Sequence, residues 1–421
     1  MKRVWFWLIW GCSAAPLIAC GEAPGATTAE PAASGAPTGA AAGHAGVSSA
    51  GAGAGAAQGG GSNTAGGTRS AGGSANEAGA SGAAAGGAGS ACAAADLDGL
   101  SVFSSGRWDP LGYPPYALDG CTLVYVAPAD GGGALHLRNL ATGDGGELEP
   151  AASTPHRPTV AGDLIAWEIG DTATSQVRVR YQGHTQTLSG DFEHAGEPRA
   201  TADAVVFTGF LGPNPIDDTD VYLYDAVNDD LSLLASGPGQ QRFADVSLTH
   251  VVVTDFSEDS RGYFDQYDSV ADLLVIDRQS GITTPRPRPG KQAFPLLGSD
   301  GAFIYLDWGA VHPEPKFSQF GLRAGVLDAP LEADYDVKPD DTIHTDPAYV
   351  RPSLHGQHVD FVDTQAGVIG LYRFTLGSSE PPLATPIAGS PQLFGPVAAD
   401  TMTLVSKPLE GQTLTLTAVA R

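Results

Sequence analysis

The last three quarters of the chain repeat one pattern of hydrophobic and polar positions. Each copy begins with a short approach, often opened by a proline, passes through a small or polar turn and ends in a run of β-forming residues. No amphipathic helical stretch of useful length lies between the runs. Seven copies can be counted, beginning at Pro115, Pro158, Pro198, Ala244, Pro295, Pro352 and Pro396. They recur about every 40–55 residues, which is the spacing of propeller blades and predicts an all-β fold.

Most copies contain a second β-forming run after the first. These runs occupy residues 135–140, 177–181, 221–224, 273–276, 370–374 and 413–417. With their turns, the two runs leave room for about four short antiparallel strands in each copy, which is the content of one propeller blade. The first run is apolar at successive positions, so we expect it to lie nearest the central channel, where neighbouring blades cover both of its faces.

The two ends of this region predict how the ring closes. After residues 413–417 the last copy stops short of a full blade, and residues 100–103 form a surplus strand before the first copy. Pairing the two would remove an open sheet edge. In blade rhythm, residues 96–421 resemble the seven-bladed β-propellers of the TolB-like and WD40-like group. The fifth copy departs from this rhythm because residues 317–336 show no clean third strand, so a six-bladed ring stays open as the alternative.

The first twenty residues have the order of a secretory signal. Lys2 and Arg3 precede an apolar run over residues 4–10, which is too short to span a membrane because that takes ~20 residues. The sequence Leu-Ile-Ala-Cys over residues 17–20 resembles the lipobox of bacterial lipoproteins. That resemblance implies a signal peptide over residues 1–19 and a lipidated Cys20. The alternative is an ordinary cleaved signal with an incidental cysteine.

The resemblance also implies an address in the cell envelope. Gly21 is not the aspartate that commonly retains lipoproteins in the inner membrane, so the outer membrane is favoured, with the periplasmic or outer side left open. Residues 20–95 consist mainly of Gly, Ala, Ser and Thr, which cannot bury enough surface to offset their ordering entropy. We therefore expect a disordered tether that holds the propeller domain, residues 96–421, off the membrane.

Two cysteines remain for a disulfide. Cleavage would remove Cys12 and lipidation would use Cys20, which leaves Cys92 and Cys121 in a compartment where disulfides persist. Their bridge would fasten the end of the tether to the first blade. The alternative is a pair of free buried thiols.

The net charge of −25 excludes some partners. Nucleic-acid phosphates need a basic surface, so we expect no nucleic acid. The same charge disfavours electrostatic docking on anionic lipids, so any hold on the membrane would come from the lipid anchor.

Candidate chemistry is sparse along the chain. None of the common hydrolase, phosphate-loop or metal-binding motifs occurs, so we predict no cofactor, no metal and no catalytic residue. Two loops, residues 255–268 and 307–314, combine aromatic and acidic residues, and propellers often bind through long loops. The candidate binding residues are Phe256, Tyr263, Phe264, Tyr267 and Trp308. The alternative is that these loops pack against an adjacent blade.

The interpretation is a non-enzymatic, lipid-anchored propeller that binds an envelope protein or a glycan. Two alternatives of another class stay open, because some seven-bladed propellers are polysaccharide lyases and others accompany peptidases. A third is a structural component of an envelope complex. A lyase would need a base and a charge-neutralising cation at one mouth of the channel, and convergence of His, Arg and Tyr side chains there would favour it.

Overall fold

Seven four-stranded antiparallel sheets form the described part of the chain in a computed structural model. We number these sheets as blades one to seven in chain order, and together they form a seven-bladed β-propeller. This confirms the predicted fold against the six-bladed alternative. The structure describes residues 92, 97, 100–104, 113–171, 174–212, 218–263, 269–298, 301–309, 320–343, 351–365, 368–378, 380, 383–387, 396–399, 402–408 and 413–420.

The strands are short and follow one another with few interruptions. The first strand, β1 (Ser101–Phe103), belongs to blade seven, and blades one to six each take four consecutive strands. Blade one contains β2 (Tyr116–Asp119), β3 (Thr122–Ala129), β4 (Gly132–Asn139) and β5 (Gly145–Glu149). Blade two contains β6 (His156–Ala161), β7 (Leu164–Ile169), β8 (Gln176–Tyr181) and β9 (His184–Thr187). Blade three contains β10 (His194–Ala200), β11 (Ala204–Phe210), β12 (Thr219–Asp225) and β13 (Asp230–Ala235).

The remaining blades follow the same order. Blade four contains β14 (Gln241–Val246), β15 (His250–Asp255), β16 (Asp272–Asp277) and β17 (Thr283–Arg286). Blade five contains β18 (Gln292–Leu297), β19 (Ala302–Asp307), β20 (Phe320–Val326) and β21 (Tyr335–Ile343). Blade six contains β22 (Ser353–His355), β23 (His358–Gln365), β24 (Val368–Thr375) and β25 (Leu383–Pro386). Blade seven ends the chain with β26 (Val397–Ala398), β27 (Met402–Pro408) and β28 (Thr413–Ala420). The helical elements with described bounds are two short 3₁₀ turns, Ala151–Ser153 and Leu331–Ala333.

Blade seven closes the ring in the predicted way. Its sheet order is β26, β27, β28 and β1, so the outermost strand comes from the N-terminal side of the propeller. Val102 pairs with Leu414 at the centre of the β1–β28 ladder, and both side chains are buried. The closure removes two open edges with a single three-residue strand.

Blade five has a third strand, so the expectation that residues 317–336 lack one is wrong. β20 pairs with β19 along its length and buries Leu322. The glycines of β20 explain why the sequence pattern did not predict it. Glycine weakens the pattern of β-forming residues without interrupting the strand. One of these glycines is required: a Cβ on Gly325 would lie 2.3 Å from a carboxylate oxygen of Asp334.

Burial is greater in the inner strands of a blade than in its outermost strand. Every residue of β7 and β11, the second strands of blades two and three, is buried. The outermost strand β9 is exposed throughout. Trp167 of blade two packs in one cluster with Val124 of blade one, which shows that the core lies between the blades. The inner runs are apolar at successive positions because both of their faces are covered, as predicted.

The innermost strands of blades two to five share a β-bulge. The pairing register shifts in the middle of β6, β10, β14 and β18. A non-glycine residue occupies the left-handed region at each bulge, which is rare and marks a position that its surroundings hold in place. These residues are Arg157 (φ 47°), Glu197 (φ 60°), Phe243 (φ 52°) and Phe294 (φ 57°).

A disulfide joins the N-terminal segment to blade one. Cys92 and Cys121 are bonded, with their Cα atoms 5.5 Å apart, which confirms the predicted pair. Cys92 packs in one buried cluster with Leu97, Val102 and Leu118. On the chain-entropy argument, closing a loop of this length contributes roughly 3–4 kcal/mol to the free energy of unfolding.

Candidate ligand-binding channel

The innermost strands are fastened to one another by side chains around the channel. The residues concerned follow the repeated proline, or Ala244 in blade four, and we call this the channel position. Arg199 of blade three donates Nε–H to Asp245 of blade four at 3.1 Å. Elsewhere the side chain accepts a backbone N–H of the next blade: Thr159 from Ala200 (3.2 Å), Asp245 from Leu297 (2.7 Å) and Ser353 from Ala398 (2.9 Å). These polar side chains at the channel position therefore form hydrogen bonds between neighbouring blades.

The two faces of the ring differ in the connections that they carry. Neighbouring strands run antiparallel, so connections between first and second strands lie on one face and those between second and third strands on the other. We call the first the turn face, exemplified by residues 162–163, and the second the loop face, exemplified by residues 256–271.

A cavity of about 380 Å³ lies in the channel toward the turn face. The innermost strands of all seven blades line it, and its walls carry four of the repeated prolines (Pro158, Pro198, Pro352 and Pro396) and aliphatic side chains such as Leu296 and Leu354. At its rim Leu248 is 64% exposed. Its size is at the small end of the range for ligand pockets, which is about 300–1,000 Å³.

Tyr113 and Arg351 lie at the deep end of this cavity. They are only 5% and 7% exposed. The Arg351 guanidinium lies 3.8 Å from the centroid of the Tyr113 ring and 4.9 Å from that of Phe294, as in cation–π pairs. Within the described residues, the Tyr113 hydroxyl and the Arg351 Nε have no hydrogen-bond partner. Two polar groups are thus buried without the partners that buried groups ordinarily have.

The surroundings of Tyr113 keep its hydroxyl protonated. Burial raises the pKa of Tyr113 most strongly, and Glu197 raises it further, while Arg351, Arg199 and Arg157 act in the opposite direction. The net pKa lies above its ordinary value of 10.0, so the phenol is a hydrogen-bond donor at neutral pH.

A buried charge network lies beside this site in blade two. Glu168 accepts hydrogen bonds from Arg157 at 3.0 Å and from the backbone N–H of Glu197 at 3.1 Å, and His156 Nε2 lies 2.9 Å from its other oxygen. Burial alone would raise the pKa of Glu168, but Arg157, His156 and the Glu197 N–H outweigh it and lower the pKa to about 2. The carboxylate is therefore charged at neutral pH.

The network continues into blades three and four. The Glu197 carboxylate accepts a hydrogen bond from Thr208 at 3.0 Å and forms a buried ion pair with Arg242. The Arg242 guanidinium also lies over the rings of Phe210 and Phe243. The buried charges in this sector have partners within the protein.

Two of the predicted binding residues are buried, so the expectation that they are exposed on loops is wrong. Phe256 is fully buried and Trp308 is 4% exposed. Each comes directly after a second strand and turns inward, where Phe256 packs against Phe243 and Trp308 against Phe294. They belong to one core cluster, as the packing alternative holds.

The other predicted residues are placed in part. Tyr263 is partly exposed, with the Arg261 guanidinium 5.1 Å from its ring centroid. Phe264, Tyr267 and the lipidation candidate Cys20 lie outside the described residues. The described parts of the two loops, residues 255–263 and 307–309, follow second strands and so begin on the loop face, whereas the cavity opens toward the turn face.

The described residues offer neither a metal site nor a membrane-spanning helix. No group of three or more His, Cys, Asp or Glu side chains is placed to hold a metal ion in the described ranges. Nor is any helix in those ranges long and apolar enough to cross a membrane.

The sequence did contain a signal for the missed residue Arg351. It precedes the repeated proline of blade six, as Arg157 and Glu197 precede that proline in blades two and three. Those two are bulge residues beside the channel, so charged residues at this point of the repeat mark the channel wall. Tyr113 precedes the first strand of blade one and no repeat feature distinguishes it.

Solved structures share the fold of this chain. No protein-family profile and no curated protein matches the sequence. The β-propeller domain of the Trilobed protease from Pyrococcus furiosus is similar, with a TM-score of 0.50 and 16% identity over 76% of this chain and 94% of that one. A prolyl endopeptidase structure gives a TM-score of 0.50 and 11% identity over 75% of this chain and 52% of that one. TolB from Acinetobacter baumannii gives 0.41 and 11%, and the chain spans only 60% of it. Likeness at these identities shows the fold alone.

Proposed function

We propose that this chain is an exported, lipid-anchored protein whose propeller binds an envelope protein or a glycan without catalysing a reaction on it. The observation that carries the proposal is the channel cavity, which all seven blades build and whose deep end holds two buried polar groups that have no hydrogen-bond partner among the described residues. A largely preformed concave site with a few convergent polar groups is the usual form of a ligand site.

The partner is best sought in the envelope itself. The test is to cross-link the full chain in membranes and identify captured proteins, with a glycan array run in parallel. Specific capture that Arg351→Gln abolishes supports the proposal. If capture and array binding are both absent, or are the same with wild type and variant, the channel is not the binding site.

The anchor is tested separately from the binding. Cys20→Ala should leave the protein without fatty acid, because three acyl chains on Cys20 are the anchor that the lipobox resemblance implies. Labelling with a radioactive fatty acid checks this directly. A variant that still takes up label would show that the lipid is elsewhere or that the lipoprotein interpretation is wrong.

One observation favours a polysaccharide lyase as the second candidate. Tyr113, Arg351 and His355 line the same cavity, which is the convergence that this alternative requires. The protonated state of Tyr113 opposes its use as a base, which leaves His355 for that role. Polyuronates incubated with the full chain should gain the ultraviolet absorbance of an unsaturated product if the lyase alternative holds, and none if the propeller only binds.

A further inference from the structure

We propose that Arg351 and Tyr113 form a carboxylate-binding site in the channel, and that the site takes the C-terminal carboxylate of an extended peptide segment. This rests on the proposed binding function and names its ligand class. The guanidinium supplies charge-assisted donors, and the phenol supplies one O–H donor.

The site exists because blade six lacks a partner that blade two has. Thr159 and Ser353 occupy the same channel position and pair with Ala166 and Asp360 on the second strands. Two residues further along each second strand, blade two has Glu168 and blade six has Val362.

The consequence for Arg351 is a buried charge with no counter-charge among the residues that the structure describes. Arg157 is bonded to Glu168, whereas Val362 is apolar and packs in a cluster with Leu371 and Val405. No described carboxylate lies within salt-bridge distance of Arg351. A buried charge in that state is stabilised by an anion from outside the protein.

The neighbouring charges do not satisfy Arg351. Asp245, which lines the same cavity, is used by Arg199 and by the N–H of Leu297. Glu197 is used by Arg242 and Thr208. The deep end of the cavity therefore carries a positive charge inside a chain whose net charge is −25, so an anion that enters the channel is held there.

The walls favour a peptide over a sugar acid. A sugar ring is commonly held by stacking on an exposed aromatic face, but the Tyr113 ring already has the Arg351 and Arg157 guanidinium groups at 3.8 and 5.2 Å from its centroid. Tyr116, the other aromatic residue of the lining, is fully buried. The lining also includes prolines and aliphatic side chains, among them Leu296, Leu354 and the exposed Leu248, which can contact the side chains of an apolar peptide.

The test uses the immobilised full chain and two pools of acetylated tripeptides, one with free C-terminal carboxylates and one with C-terminal amides. We expect the acids to be retained at least tenfold more than the amides, and digalacturonate not to compete with them. Equal retention of both pools, or retention of neither, overturns the proposal. Competition by digalacturonate would replace the peptide with a sugar acid as the ligand.

Variants locate the site. Arg351→Gln should lower retention of the acids at least tenfold, and Tyr113→Phe should lower it severalfold with no fall in melting temperature. Arg180→Gln, on the third strand of blade two outside the cavity, is the matched control and should change nothing. Should Arg351→Gln fail to fold, Tyr113→Phe decides: full retention by that variant overturns the role of the phenol.

Failure of this site and failure of the proposed function give different results. If envelope proteins are captured but the peptide acids are not retained, the carboxylate site is wrong and the binding function stands. If the peptide acids are retained but no envelope protein is captured, the carboxylate site stands and the envelope partner is wrong.

Discussion

Arg157 and Arg351 occupy the same position in blades two and six but have different electrostatic surroundings. Each precedes the repeated proline, and each guanidinium lies over the ring of Tyr113. They differ in the residue that the second strand of their own blade provides. In blade two this residue is Glu168, which bonds to Arg157, and in blade six it is Val362. One arginine therefore serves the fold, while the other lowers its stability unless something binds.

The difference shows how to separate structural from functional charges in a repetitive fold. A paired buried charge is explained by its pair, and removing one partner destabilises the protein. An unpaired buried charge at the equivalent position has no such explanation. Functional sites are where a buried group without a stabilising partner is expected. The predictions that follow test the two arginines against each other.

The largest effect should come from removing the partner of Arg157. Glu168→Val gives blade two the residue of blade six and leaves Arg157 buried without its counter-charge, which should lower the free energy of unfolding by about 3–5 kcal/mol. Urea denaturation measures it, with Glu147→Gln on an exposed strand as the control. A loss below about 1 kcal/mol would mean that the pair contributes little and that the contrast with blade six has no energetic basis.

The pH dependence of the same carboxylate comes next. The pKa of Glu168 is about 2 in the folded protein against 4.5 ordinarily, so its contribution is fully present above about pH 4.5 and is lost as the pH falls toward 2. The difference corresponds to about 3 kcal/mol, at 1.36 kcal/mol for each pKa unit. The free-energy gap between wild type and Glu168→Gln should narrow by that amount between pH 6 and pH 2. A gap that stays constant would contradict the lowered pKa.

A smaller effect should follow from giving Arg351 the partner that it lacks. Val362→Glu places a carboxylate where blade two has one, and the new pair should lower the affinity for the peptide acids about tenfold, or about 1.4 kcal/mol. Val362→Gln is the neutral control of the same shape. If both variants bind as the wild type does, Arg351 does not hold the ligand.

The smallest effect concerns the phenol. Tyr113→Phe removes a buried hydroxyl that has no partner among the described residues, so it should raise the free energy of unfolding of the unliganded protein by about 1 kcal/mol. Thermal melts without the peptide acids measure the gain in stability, and melts with them measure how much less the variant is stabilised by binding. A variant that is clearly less stable would show that the hydroxyl is already hydrogen-bonded.

The sequence predicted the architecture well because blades are built from local patterns. The seven copies correspond to the seven first and second strands, and the surplus strand at residues 100–103 pairs with β28. Burial on both faces gives a strand an apolar run that can be recognised without neighbours. The pairing of Cys92 with Cys121 followed from counting cysteines.

The site was harder to predict for a physical reason. Whether a side chain at the end of a strand points to solvent or into the core depends on contacts with other blades, and the alternation of apolar and polar residues does not reveal them. Sequence reasoning placed Phe256 and Trp308 on exposed loops because they follow the strands, whereas both turn into the core. It missed Arg351 because the charge is informative only when compared with Val362, a residue that is adjacent in space and distant along the chain.

The disulfide has a mechanical consequence for the propeller. Cys92 lies before β1 in the chain, and its bond to Cys121 ends at the turn between the first two strands of blade one. A force applied to the N-terminal segment therefore reaches blade one through covalent bonds, and the three-residue ladder between β1 and β28 carries little of it. Once the disulfide is reduced, the same force would load that ladder directly, and the ring would open at blade seven first.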